Sequence, residues 1–130
     1  KLFRLILFNF LTGNEDAHLK NYSVIVRGDK KELSPCYDLL NSTLVLGGRA
    51  SEESALPLSG KKKNFTKNDF FRYLGRERLE LTEKVIDTIG YELEKSITKW
   101  EQLIRASFLP AAKQDTYLKL IGERADRLFG

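Results

Sequence analysis

The residues best equipped for chemistry crowd into one stretch, Gly13 to Tyr22, reading G-N-E-D-A-H-L-K-N-Y. It holds two acids, a lysine, two asparagines and the one histidine of the chain, His18. A zinc site needs several Cys or His ligands, and the chain has one of each, which argues against zinc. Acyl transfer would set a serine nucleophile against His18 and Asp16, but no serine sits in a G-x-S-x-G elbow. Phosphoryl transfer asks for an aspartate that accepts a hydroxyl proton and, five residues later, an asparagine whose amide oxygen binds Mg²⁺. Asp16 and Asn21 have that spacing. A further carboxylate is needed close by, and Asp38 is a candidate; Mg²⁺ prefers such oxygen ligands. The spacing D-x-x-x-x-N is common by chance, and the competing reading is that these side chains merely cap helices and close turns.

What strengthens the chemical reading is the order of elements that must position these groups. Residues 1–12 are apolar on nearly every face and predict a buried helix, with Gly13 as its stop. YSVIVR at 22–27 reads as a strand, Gly28-Asp29-Lys30-Lys31 as a turn, and ELSPCYD as an irregular second arm ending near Asp38. That hairpin folds Asp38 back toward Asn21. Residues 41–60 read as a long loop with at most short elements. Thr66 is a candidate cap for a short helix, KNDFFRYLG, that Gly75 ends. Thr82 is a candidate cap for a long amphipathic helix whose stripe runs through Val85, Ile86, Ile89, Leu93, Ile97, Trp100, Leu103 and Ile104, weakened at Gly90. Pro110 opens a last helix through Phe129. The fold class is mainly α with a small β-hairpin, and a helical region spans 66–129.

Bulk properties set limits. The 130 residues suffice for one domain with a real core, and 42% hydrophobic with 31% charged residues is a globular composition. The net charge of +4 lies in the second half, with 15 basic and 11 acidic residues in 61–130. Such a mild excess reads as a solvated surface before it reads as a nucleic-acid footprint. One cysteine, Cys36, excludes an intramolecular disulfide and is expected as a buried residue of a strand. No signal peptide is evident and the apolar start is too short to span a bilayer, so a cytoplasmic address is expected. A start at Lys1, inside an apolar segment, suggests the C-terminal piece of a longer protein.

FNFLTGNEDAHLKNYSVI followed by LSPCYDLLNST resembles the HipA family of serine/threonine kinases, toxins of bacterial toxin–antitoxin pairs. The family pattern N-x-D-x-H-x-K-N, then S-P-x-Y-D-L, is present as Asn14, Asp16, His18, Lys20 and Asn21, then Ser34, Pro35, Tyr37, Asp38 and Leu39. The resemblance implies a C-terminal kinase lobe over 1–130, with a catalytic loop at 13–21 and a metal-binding segment at 34–40. It implies Asp16 as catalytic base, Asn21 and Asp38 as Mg²⁺ ligands, and Lys20 near the ATP phosphates. His18 would brace the loop, and Asn14 would help to order it. The glycine-rich loop and the strand lysine of an ATP-binding N-terminal lobe are missing from this chain, so an upstream segment or subunit is expected to supply them. Partners implied are a protein substrate and a HipB-like antitoxin, with DNA contact through that complex. Two alternatives stand beside this reading: a catalytically idle lobe that binds antitoxin and DNA through its basic half, Lys61–Lys63 included, and a lipid kinase, against which the S-P-x-Y-D-L segment argues. Ser42 and Thr43 are expected to cap a helix.

Overall fold

The computed structural model describes residues 1–47 and 51–130. The apolar start is helix α1, Leu2–Thr12, with Phe3, Leu5, Leu7, Phe10 and Leu11 buried. Gly13 ends it in the left-handed conformation (φ 78°), its N–H turned back to the carbonyls of Asn9 and Phe10, a stop that glycine adopts without a Cβ penalty. After the polar loop and a 3₁₀ turn at Leu19–Asn21 comes an antiparallel hairpin, β1 (Val24–Arg27) and β2 (Lys30–Leu33). Val24 pairs with Leu33 and Arg27 with Lys30. Only Gly28-Asp29 lie between the strands, so Lys30 and Lys31 belong to β2 and not to the turn. A two-residue loop with glycine first, at φ 60°, matches the twist of paired strands. The second arm stops at Leu33, short of Asp38, because Pro35 has no N–H to give a ladder. Cys36 is therefore exposed in an irregular segment rather than buried in a strand.

A single helical turn, α2 (Ser42–Val45), follows. The short helix predicted after Thr66 does not end at Gly75. It runs on to Arg78, and over Asp69–Arg78 it is wound as a π-helix. Gly75 instead permits close approach: a Cβ there would lie 3.0 Å from Ile86 Cδ1 and 3.2 Å from Phe3 Cε2. Helix α3, Glu83–Arg105, is unbroken at Gly90, where a Cβ would meet Phe71 Cε1 at 2.9 Å. Thr82 occupies the cap position, but its side chain makes no capping bond. Helix α4 runs Ala111–Phe129 after Pro110, as predicted.

These helices wrap α1, which is why it is apolar all round. Phe10, Phe65 and Phe70 form an aromatic cluster with centroids 4.8–6.0 Å apart. Around it lie Phe3, Leu7, Leu11, Leu74, Ile86, Leu93 and Leu128. Trp100 packs edge-on against Phe8. Two members of the predicted stripe, Val85 and Leu103, are exposed, because α4 and the π-wound helix, against which α3 packs, cover a narrower band of it than its sequence offers. The architecture is mainly α with one small hairpin. Among the described residues no helix is long and apolar enough to cross a membrane.

Candidate functional site

The polar loop leaves the buried end of α1 and is pinned at both edges. Asn14 N–H donates to Asn9 O (2.9 Å) and Glu15 N–H donates to Ser42 Oγ (2.7 Å). Ser42 Oγ and Thr43 Oγ1 in turn donate to the Gly13 carbonyl. These hydroxyls were expected as helix caps, but Asn41 does that work by accepting from Leu44 N–H. Ser42 and Thr43 tie α2 to the loop instead. Ala17, 4% exposed, anchors the middle of the loop, while Asp16 and His18 on either side of it are exposed.

Asn21 and Asp38, seventeen residues apart, are in contact: Asn21 Nδ2 donates to Asp38 Oδ2. Asp38 sits in the left-handed region (φ 55°), a conformation that aspartate tolerates better than most residues and that tends to mark functional sites. The backbone there is held by Asn14, whose Nδ2 donates to Asp38 O (3.2 Å). Tyr37 Oη donates to Lys20 O (2.7 Å), a second stitch between the two segments. Asn21 Oδ1 is buried and has no hydrogen-bond partner, which is uncommon for a buried acceptor. It is the Asn21 amide nitrogen that faces the carboxylate; with the amide turned over, the pair would offer a carboxylate and an amide oxygen, donors that suit a hard cation such as Mg²⁺. Among the described residues no group of three His, Cys, Asp or Glu side chains could hold a metal alone.

Asp16 opens onto a cleft of about 520 Å³ lined by Leu40, Val45 and Leu46 on one part and by Glu15, Ser42, Ser51 and Glu52 on the rest. The loop bends tightly here, with His18 N–H on Asp16 O (2.8 Å) and Asn21 N–H on His18 O (2.9 Å). His18 thus braces the loop through its main chain, its imidazole being exposed. Lys20 is also exposed. Of the lysine run, Lys61 pairs with Asp69 and Lys62 with Glu52. Thr66 N–H and Oγ1 also donate to Asp69. Burial raises the Asp69 carboxyl's pKa, but the bonds from Lys61 and Thr66 outweigh it and hold it below its ordinary value.

Several positioning residues escaped the sequence reading. Asn9, 6% exposed on α1, accepts from Asn14 Nδ2 (3.3 Å) and donates to Tyr22 Oη (3.3 Å). Burial pushes the Tyr22 phenol up, and the Asn9 bond acts against that. From α4, Arg124 reaches under the loop, donating to Phe10 O (2.5 Å) and to Glu15 Oε1 (2.8 Å). Its guanidinium stacks 5.0 Å from the Phe10 ring centre. Burial lowers its pKa, and the charges of Glu15 and Glu53 oppose that fall. Arg127 makes a two-pronged pair with Glu53. The one signal available for Asn9 was a lone amide inside an apolar helix. Arg124 offered none, because its partner is 109 residues away.

Helices wrapped around α1 hold a loop in which Asp16 is exposed and Asn21 meets Asp38. Residues 1–101 match the model of the HipA-like C-terminal domain, and the chain belongs to that family. It is 30% identical to a protein of Haemophilus influenzae named "Putative kinase", across 95% of this chain and 40% of that protein. It is 38% identical to "Putative kinase Y4dM" of Sinorhizobium fredii, across 75% of this chain and 24% of that one. A shorter segment, 27% of this chain and 8% of the relative, is 54% identical to the "Serine/threonine-protein kinase toxin HipA" of Shewanella oneidensis. The chain thus spans well under half the length of these curated relatives.

Proposed function

We propose that this chain is the catalytic C-terminal lobe of a serine/threonine kinase and transfers the γ-phosphoryl group of ATP to a protein hydroxyl. The observation that carries the reading is the junction of Asn21 with Asp38, on the same loop as an Asp16 that opens onto a cleft. Asp16 takes the proton of the incoming serine or threonine. The freed oxygen bonds to the γ-phosphorus as the bond to the β,γ-bridging oxygen breaks, and ADP leaves. Asn21 and Asp38 would hold Mg²⁺, which, when bound, offsets negative charge on the phosphates. Lys20 would lie where charge builds on the transferring group. His18 keeps the loop bend through its main chain and moves no proton. The apolar cleft wall of Leu40, Val45 and Leu46 would receive the side chains around the substrate hydroxyl.

The remaining parts belong to the same proposal. An N-terminal lobe, in cis or as a partner subunit, would close over the nucleotide. An antitoxin protein, and DNA through it, would be the regulatory partners. The test is phosphate transfer from labelled ATP by the intact protein, with Asp16→Asn as the comparison. Loss of a general base should lower the rate by about 10²–10⁴-fold. Wild-type protein without transfer, while still binding an antitoxin, would replace this reading with that of an idle binding lobe.

A further inference from the structure

We infer that Asn9 is a positioning residue for the metal-binding pair, acting through a relay of buried amides whose direction is set by one carbonyl. The inference rests on the kinase reading above. It starts from Asp38, whose backbone oxygen can only accept. Asn14 must therefore turn its amide nitrogen, not its oxygen, toward Asp38 O (3.2 Å). That same nitrogen also lies 3.3 Å from Asn9 Oδ1. Its two N–H groups are then both used, one on each oxygen. Asn9 must present its oxygen to Asn14, so its nitrogen faces Tyr22 Oη, which accepts (3.3 Å). Each amide orientation follows from the one before.

The relay matters because of where it ends. Asn9 and Asn14 are 6% and 4% exposed and, with Tyr22, line a cavity of about 140 Å³, so a missing amide partner there is replaced only by a water held in that cavity. Asn9 stands on α1, the most buried helix of the molecule, and is fixed at its main chain by the bond from Asn14 N–H to Asn9 O. Without the Asn9 oxygen, the second N–H of the Asn14 amide has no acceptor, and the amide is held in place only by its bond to Asp38 O. Asp38 holds a left-handed conformation that gives way once its carbonyl is released, and its carboxylate then leaves Asn21. Asn9 thus governs a site that it does not touch.

The experiment measures Mn²⁺ affinity, by electron paramagnetic resonance, on the intact protein with a non-hydrolysable ATP analogue. Asn9→Leu keeps an apolar helix former but removes the acceptor. Asn9→Asp keeps an oxygen facing Asn14. Ile121→Ala, in the core but off the relay, controls for lost stability. Outer-shell partners of metal ligands are typically worth about 10–100-fold in affinity. Asn9→Leu should therefore weaken Mn²⁺ by roughly tenfold or more, Asn9→Asp should recover much of it, and Ile121→Ala should leave it near wild type. Asn9→Leu within about twofold of wild type, while Asp38→Asn abolishes binding, overturns the inference and leaves the kinase reading standing. Wild-type protein that takes up no Mn²⁺ overturns both.

Discussion

Replacing Arg124 by methionine should be among the most damaging single changes in the chain. The guanidinium and the Glu15 carboxylate are 3% and 8% exposed, so their attraction is little screened, and so is the cost of leaving either alone. In Arg124→Met the Glu15 carboxylate keeps its buried place, with Oε2 already lacking a partner, and Phe10 O loses a close donor. Breaking one side of such a pair costs about 3–5 kcal/mol, against a total stability of about 5–15 kcal/mol for a domain. For a domain of this size that is a fall in Tm of about 10–20 °C. Urea and thermal unfolding followed by Trp100, the single tryptophan of the chain, would measure it. The double variant Glu15→Gln with Arg124→Met should recover part of the loss, through a coupling of about 0.5–3 kcal/mol. An Arg124→Met cost below about 1 kcal/mol, the scale of an exposed pair, would refute the reasoning, because it would mean that water reaches the pair.

Three further outcomes are expected. Asp16→Asn should leave Tm within about 2 °C of wild type, because the carboxylate is exposed and bonds to none of the described side chains; calorimetry beside the kinase assay checks it. Gly13→Ala should destabilise well beyond Gly28→Ala. Both glycines have positive φ, but a Cβ at Gly13 meets Leu120 Cδ2 at 2.7 Å and Asn41 Oδ1 at 2.8 Å, whereas Gly28 faces open space. The left-handed backbone alone costs about 1–2 kcal/mol, so parity of the two variants in chemical denaturation would discard the packing argument. Asp69 and Glu53 both sit below their ordinary values. For Asp69 the bonds from Lys61 and Thr66 outweigh its burial, and for Glu53 those from Arg127 and Phe65 outweigh its own. A depressed carboxyl stabilises the fold above its unfolded value and loses that contribution as pH falls through the folded one. Stability should therefore decline from about pH 4 downward, and Asp69→Asn should flatten that decline in a series of urea midpoints against pH.

The sequence by itself determined the elements whose signal is local. Hydrophobic pattern and stop residues placed α1, its end at Gly13, and α4 after Pro110. Residue type and spacing singled out Asp16, Asn21 and Asp38. Where local signals competed with packing, packing won. Gly75 and Gly90 read as a stop and a weak point, yet both stand inside helices, because Phe3, Ile86 and Phe71 come too close for a Cβ. Ser42 and Thr43 read as caps, yet their hydroxyls bind a loop nearly thirty residues away. Tertiary structure alone decided what supports the site: Asn9 behind Asn14, and Arg124 under Glu15. A periodic pattern records which face of an element is buried, but not which distant residue lies against it. A buried polar side chain takes its partner from whatever the fold brings within about 3 Å. For this loop that partner comes from the neighbouring helix turn and from a helix more than a hundred residues away.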